Sequence, residues 1–222
     1  MRKALFVAPH ADDETLGCGG TILKLASQGI EVYWLLVTGM SQEGGFSKSQ
    51  IKDRNFEIEN VKKKYKFSAT HELGLLPAEL ETISKSKLIK DVSAIILKIK
   101  PDTVFIPYRN DAHSDHAVVF DVLVASTKVF RNPFVKKILA YETLSETDFS
   151  LRPDLSTFKP NTFINIENQI EEKIEIMKLY KSEMGEFPFP RSSEAIKALS
   201  SLRGVQSGCQ AAEAFMLLKE ID

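Results

Sequence analysis

Residues 9–14 read Pro-His-Ala-Asp-Asp-Glu, and residues 113–116 read His-Ser-Asp-His. These two stretches hold three of the chain's four histidines; the fourth, His71, has no partner in sequence and reads as a surface or strand-end residue. The first stretch packs an imidazole and three carboxylates into residues 10–14. A helix start needs one cap, which Asp12 or Asp13 can supply. The remaining acids repel each other in a confined space unless something positive lies among them. A divalent cation is the simplest candidate. His10 and Asp13 stand three residues apart at a helix entrance and can point at one ion, and His116 completes a mixed nitrogen and oxygen set. Three protein ligands with one open position is the arrangement of catalytic zinc; the mixed donors also suit iron or manganese. Structural zinc usually takes four ligands, mostly cysteines, and neither Cys18 nor Cys209 sits in a pair.

Asp12 cannot easily share the ion with both neighbours. It is the candidate to receive a proton from a metal-activated water, whose pKa can fall to about 7. His113, three residues before His116, can donate a proton or stabilise an oxyanion. Asp115 can hold His113 in one tautomer and raise its basicity.

These residues must be brought together by the elements around them. Lys3–Ala8 reads as a buried strand, and Glu14–Gln28 as a helix ended by Gly29. Glu31–Val37 is a second strand, followed by a polar loop over 40–49 and a charged helix over 51–64. Thr70–Leu76, Glu81–Lys98 and Thr103–Pro107 read as strand, helix and strand. The β-α-β-α-β-α-β order predicts an α/β, Rossmann-like fold with a mostly parallel sheet and helices on both faces. In such a sheet the turns after the first and fourth strands meet at the carboxyl edge, where ligands bind. Further on, a helix over 115–130, a strand over 135–141, a loop over 142–160, a strand over 162–166 and helices over 169–180 and 192–201 are expected. Residues 211–221 read as either helix or strand. Gly17-Cys18-Gly19-Gly20 lacks the dinucleotide spacing and lies inside the first helix, so close helix–sheet packing is the better reading.

The 222 residues suit one domain, 1–222, with no linker dividing it. A hydrophobic share of 43% and a charged share of 27% are ordinary for a soluble globular chain. A net charge of −1 gives no reason to expect nucleic acid or an anionic membrane as partner. No apolar run approaches the ~20 residues of a membrane span, and the first residues are too short in apolar content for a signal peptide. Two cysteines make no disulfide framework, so a cytoplasmic setting is expected.

The two motifs together resemble those of the PIG-L/LmbE-like N-acetylglucosaminyl deacetylases. Ala11 stands where the family's first motif usually has Pro, at a position that carries no ligand. Thr38-Gly39, Arg54, Glu57, Arg203-Gly204 and Ala212-Glu213-Ala214-Phe215 extend the likeness over most of the chain, least over 142–190. The resemblance implies metal ligation by His10, Asp13 and His116, a general base at Asp12, and an oxyanion-stabilising or acid histidine at His113 partnered by Asp115. It implies metal-dependent hydrolysis of an N-acyl group, usually acetyl, from an amino sugar or its conjugate, and zinc is the ion expected from the donor set. Arg54, Glu57, Arg109 and Asn110 are then candidates for binding sugar hydroxyls, although Arg54 and Glu57 equally suit a solvated helix face with local ion pairs. Phe187 and Phe189 are candidates for stacking on a sugar, and the apolar run 187–190 suits a homo-oligomeric contact. Trp34 reads as core, Arg203 as an ion-pair partner or part of a subunit contact, and Glu213 as a neighbour of the metal turn. Two rival readings are a metal-dependent phosphoesterase and a non-catalytic sugar- or nucleotide-binding module of the same fold.

Overall fold

The chain is described by a computed structural model covering residues 1–151 and 154–222. Seven strands form one sheet: β1 Lys3–Ala8, β2 Glu31–Thr38, β3 Ala69–Leu75, β4 Thr103–Pro107, β5 Lys137–Tyr141, β6 Thr162–Asn165 and β7 Ala212–Glu220. Among the described residues six helices accompany them: α1 Asp13–Ser27, α2 Lys48–Tyr65, α3 Lys85–Ile99, α4 Ser114–Ser126, α5 Ile170–Met177 and α6 Ser193–Ser207. The strand order is β3-β2-β1-β4-β5-β7-β6. Strands β1 to β5 run parallel, and β7 is antiparallel to both of its neighbours.

Residues of β1 alternate between two apolar layers. Phe6 and Ala8 face α1, α2, α5 and α6, whereas Leu5 and Val7 face α3 and α4. A parallel sheet covered on both faces explains why Ala4–Ala8 of β1 is an unbroken apolar run rather than alternating with polar residues. The order reverses between β1 and β4, which are neighbours in the sheet. This is the switch point, and the turns leaving these two strands carry His10 and His113–His116.

Helix α1 lies unusually close to its surroundings. A Cβ on Gly17 would sit 2.3 Å from the Tyr141 ring, and one on Gly20 would sit 2.7 Å from Ile166. The glycine run is therefore a packing device, as the sequence suggests.

Several boundaries differ from the periodicity. Helix α2 begins at Lys48, because Ser47 and Gln50 form a reciprocal capping box that recruits three polar residues upstream of the first apolar anchor. A 3-10 turn at Leu80–Thr82 precedes α3, so the helix starts at Lys85 rather than Glu81. Helix α4 stops at Ser126, short of Phe130. Helix α6 runs to Ser207, beyond the expected 201, and ends where Gly208 adopts φ 73°. The ambiguous segment after 211 is β7, inserted between β5 and β6. The loop expected over 142–160 holds no helix or strand among its described residues, and 152–153 lie outside them. No helix among the described residues is long and apolar enough to cross a membrane.

Candidate active site

The turn after β1 enters α1 through Asp12, whose backbone takes φ 152° and ψ −27°. A non-glycine residue there is strained, and such strain persists only where the surroundings fix it. The Asp12 carbonyl accepts from Thr15 and Leu16, while the Asp13 carboxylate turns back to accept from the His10 amide at 2.8 Å. The turn after β4 enters α4 through His113, whose ring nitrogen Nδ1 accepts from the Asp115 amide at 3.1 Å.

The two turns meet. His10 Nδ1 and His116 Nε2 each lie 3.3 Å from Asp13 Oδ2, and donor atoms of His10, Asp13 and His116 all fall within 4.8 Å of one another. His116 Nε2 is buried with no hydrogen-bond partner among the described residues. Each outer nitrogen is held by a carboxylate. His10 Nε2 meets Asp115 Oδ2 at 3.0 Å, and His116 Nδ1 meets Asp111 Oδ2 at 2.7 Å. This pattern, with carboxylates behind the imidazoles, is how proteins orient histidine ligands. An orphaned nitrogen, a shared carboxylate oxygen and two buttressed rings fit a divalent cation at this point. A second group, His10, His113 and Asp115, is equally compact. Two of its atoms are engaged elsewhere, however: Asp115 Oδ2 also accepts from the Ala78 amide, and His113 Nδ1 accepts from the Asp115 amide.

The electrostatics follow from this crowding. Burial works against the charge on His10, but the hydrogen bonds it donates to the Asp115 and Asp13 carboxylates outweigh it and lift its pKa to about 9. Burial also opposes protonation of His116, yet Asp13 and Asp111 hold it well above the usual imidazole range. The converse holds for Asp13, which the two histidines keep far below the usual carboxylate range against the effect of burial. Burial and the Asp13 charge push Asp12 well above it, partly offset by Arg191. Glu14 is wholly buried and rises to about 7, though it accepts from Thr15 Oγ1 at 2.6 Å and Tyr180 Oη at 2.9 Å.

A cleft of about 250 Å³ opens above these groups, with His10, Asp12, Asp13, His113, Arg54 and Arg191 on its walls.

The sequence profile described as PIG-L, GlcNAc-PI de-N-acetylase, matches residues 5–127. The chain belongs to the PIG-L family. Diacetylchitobiose deacetylase of Thermococcus kodakarensis is 26% identical over 226 residues, covering 96% of this chain and 82% of that protein. Among solved structures, N,N'-diacetylchitobiose deacetylase from Pyrococcus horikoshii superposes with a TM-score of 0.79 at 23% identity, over 98% of this chain and 84% of that one. The zinc-inhibited form of a teicoplanin deacetylase gives 0.77 at 14% identity, over 99% of each chain. At such identities the two structures speak to the fold alone.

Not every sequence-based expectation for this PIG-L chain meets at the cleft. Asp115 was expected to orient His113 with its carboxylate, but that carboxylate is 3.8 Å from His113 Nδ1 and faces His10 instead. The reason is α4 geometry: the backbone amide of Asp115, not its side chain, lies beside the preceding ring. The expected rise in His113 basicity is also reversed. Burial and the neighbouring His10 lower its pKa. Arg109 points away to α4, where its Nε meets Asp121 Oδ1 at 2.8 Å. Asn110 donates to the Ser156 carbonyl at 3.1 Å and does not line the cleft. Glu57 is also off the cleft; it accepts from the Lys181 amide at 3.1 Å and faces Arg54 at 3.6 Å. Arg54 does reach the cleft wall, and there it braces the motif turn by donating to the Ala11 carbonyl at 3.1 Å. Exposed Phe187 and Phe189 lie outside the cleft lining, and His71 is away from it. Trp34 is fully buried, as expected. Arg203 pairs with Glu142 at 2.5 Å. Glu213 braces α1 by accepting from the Gly20 and Thr21 amides and pairing with buried Lys173 at 2.7 Å.

Sequence reasoning did not single out Asp111, Glu183 or Arg191. Asp111 sits five residues before His116 in the same turn, so its spacing was a usable signal. Glu183 and Arg191 lie in the 181–192 loop, where nothing in composition marks them. Arg191 Nη1 meets Asp12 Oδ2 at 2.8 Å and Glu183 Oε2 at 3.1 Å, and Glu183 also pairs with Arg54.

Proposed function

We propose that the protein removes an N-acetyl group from an amino sugar or its conjugate, with residues 1–222 acting as one catalytic domain. Membership of the PIG-L family and the likeness to a diacetylchitobiose deacetylase support this reading. The observation that carries it is a carboxylate, Asp12, on the cleft wall beside three convergent ligand atoms that it does not join.

His10 through Nδ1, Asp13 through Oδ2 and His116 through Nε2 would hold one divalent ion. We assign zinc, and the donor set also admits iron or manganese. Such an ion, when bound, acts as a Lewis acid and lowers the pKa of water. Asp12 takes the proton from the water that attacks the amide carbonyl. Burial and the Asp13 charge raise its pKa above the ordinary carboxylate range, which makes it a stronger base for that proton. The proton passes to the nitrogen as the C–N bond breaks, giving a carboxylate and a free amine. Burial and the neighbouring His10 favour the neutral form of His113, and Nδ1, occupied as an acceptor, leaves Nε2–H to donate to the developing oxyanion. Of the two roles open to His113, hydrogen-bond donation therefore fits better than acid catalysis. Asp115 and Asp111 hold the two ligand imidazoles. Arg54 braces the turn and lines the cleft, whereas Glu57, Arg109 and Asn110 take no part. Two unpaired cysteines, one of them buried, suit a reducing, cytoplasmic setting.

The test is acetate release from a panel of N-acetylated amino sugars, with bound metal measured in parallel. Asp12→Asn is expected to keep its metal and lose turnover. Undiminished function in that variant would support a non-catalytic binding module, and hydrolysis of phosphoesters but no amide would support the phosphoesterase.

A further inference from the structure

Helix α4 starts at Ser114, and the amides at its entrance have no partner within the helix. His113 satisfies one of them itself, since its Nδ1 accepts from the Asp115 amide. That bond locks the ring to its own backbone, so the ring goes where the His113 main chain is placed. The main chain is held from 33 residues away. Glu146 Oε2 accepts from the His113 amide at 3.1 Å, and the Glu146 carbonyl accepts from the Ala112 amide at 3.0 Å. One residue thus grips two consecutive amides at the entrance to α4.

Glu146 is presented by a tight turn that follows β5. Strands β4 and β5 are parallel neighbours, so the turns leaving them lie side by side at the carboxyl edge. The Thr143 carbonyl accepts from the Glu146 and Thr147 amides at 3.1 and 2.8 Å, and Ser145 takes φ 72° within the turn. Thr147 Oγ1 donates to Asp111 Oδ1 at 2.6 Å, and Asp111 in turn holds His116. The turn is therefore pinned to the second motif at a point independent of Glu146. Glu146 also lines the cleft, and its Oε1 takes part in no hydrogen bond among the described residues. What the site asks of this side chain is one acceptor, which a carboxamide supplies as well.

We propose that Glu146 is the positioning residue for His113, holding its main chain so that Nε2–H meets the oxyanion forming in the cleft. This role rests on the deacetylase reading above. Acetate release from N-acetylated amino sugars, with bound metal measured in parallel, is compared for the wild type, Glu146→Met, Glu146→Ala and Glu146→Gln. His113→Ala is measured alone and combined with Glu146→Met and with Glu146→Ala. Glu146→Met and Glu146→Ala remove the acceptor, and either suffices should the other fail to fold. Each is expected to lower kcat roughly 10–100-fold at little-changed KM, since a misplaced catalytic group costs up to about 10²-fold. Glu146→Gln keeps the acceptor and is expected to retain most of the turnover. In the His113→Ala background, loss of the Glu146 acceptor is expected to cost nothing further, because the group it positions is gone. A raised KM at unchanged kcat, a loss of the same size in the His113→Ala background, or a glutamine variant as poor as the other two overturns the assignment. If the wild type releases no acetate, the deacetylase reading fails separately, and exchange of the His113 amide hydrogen measured by NMR decides the contact. Faster exchange in Glu146→Met or Glu146→Ala than in the wild type and Glu146→Gln supports it; equal exchange in all of them overturns it.

Discussion

Arg191 donates to the Asp12 carboxylate at 2.8 Å across 179 residues of sequence. The same guanidinium meets Glu183, Glu183 pairs with Arg54, and Arg54 donates to the carbonyl of Ala11, the residue before Asp12. A ring of charges thus ties the 181–192 loop to both ends of one peptide unit. It explains how the unfavourable backbone at Asp12 is held, since a strained conformation survives only where its surroundings over-determine it.

Removing the base and removing its brace should differ in size. Asp12→Asn is expected to lower kcat by roughly 10²–10⁴-fold, the range of a lost general base. Arg191→Ala is expected to lower it by less, with partial recovery when guanidinium is added. Steady-state kinetics decide, and an Arg191→Ala loss as large as that of Asp12→Asn would show Arg191 acting in the chemistry itself.

The carboxylates behind the imidazoles should matter for metal retention. Asp111→Asn and Asp115→Asn are each expected to weaken metal affinity by about 10–100-fold, as outer partners of ligand histidines do. Competition against a chelator measures this. Equal affinity in wild type and both variants would remove the buttressing role.

The metal-free protein should depend on pH in a definite direction. The folded pKa of His10 is about 9, against an ordinary 6.5. A raised folded pKa means that the stabilisation is complete below 6.5 and is lost as pH climbs through about 9. Glu14, raised from 4.5 to about 7, acts in the same direction between those values. Thermal unfolding in chelator should therefore show the advantage of the wild type over His10→Gln shrinking from pH 6 to pH 9. Added metal should reverse the trend, because ligation requires the deprotonated imidazole. An advantage that grows with pH in chelator would contradict the charged His10 at this site.

Gly17→Ala tests the packing of α1. The new methyl would meet the Tyr141 ring at 2.3 Å and the Glu142 carbonyl oxygen at 2.9 Å. Overpacking of this kind costs about 1–3 kcal/mol, against a helix-propensity gain of about 1 kcal/mol. Denaturant unfolding is expected to show net destabilisation. A more stable variant would mean that α1 can move off the sheet without penalty.

Arg109→Ala should leave turnover unchanged. The side chain is half-exposed and spent on a surface pair with Asp121, and such pairs contribute little. A raised KM for any sugar substrate would return Arg109 to the binding site.

The sequence by itself determined the strand–turn–helix units and their order, because buried parallel strands and amphipathic helices leave periodic apolar patterns over many residues. It also determined which residues share the β1 and β4 turns, since a parallel sheet with this order brings those turns to one edge. Local geometry escaped it. Whether the carboxylate or the amide of Asp115 faces His113, and whether Arg109 turns toward the cleft or toward Asp121, depends on side-chain rotation that no spacing encodes. The same is true of β7, whose pattern fits helix and strand alike until a place between β5 and β6 decides. Only the tertiary structure decided that Arg191 and Glu183 close on the motif turn, because they lie in a loop without periodicity and their partners are far away in the chain. Long-range ion pairing leaves no trace in neighbouring residues, and so it becomes visible only once the chain has folded back on itself.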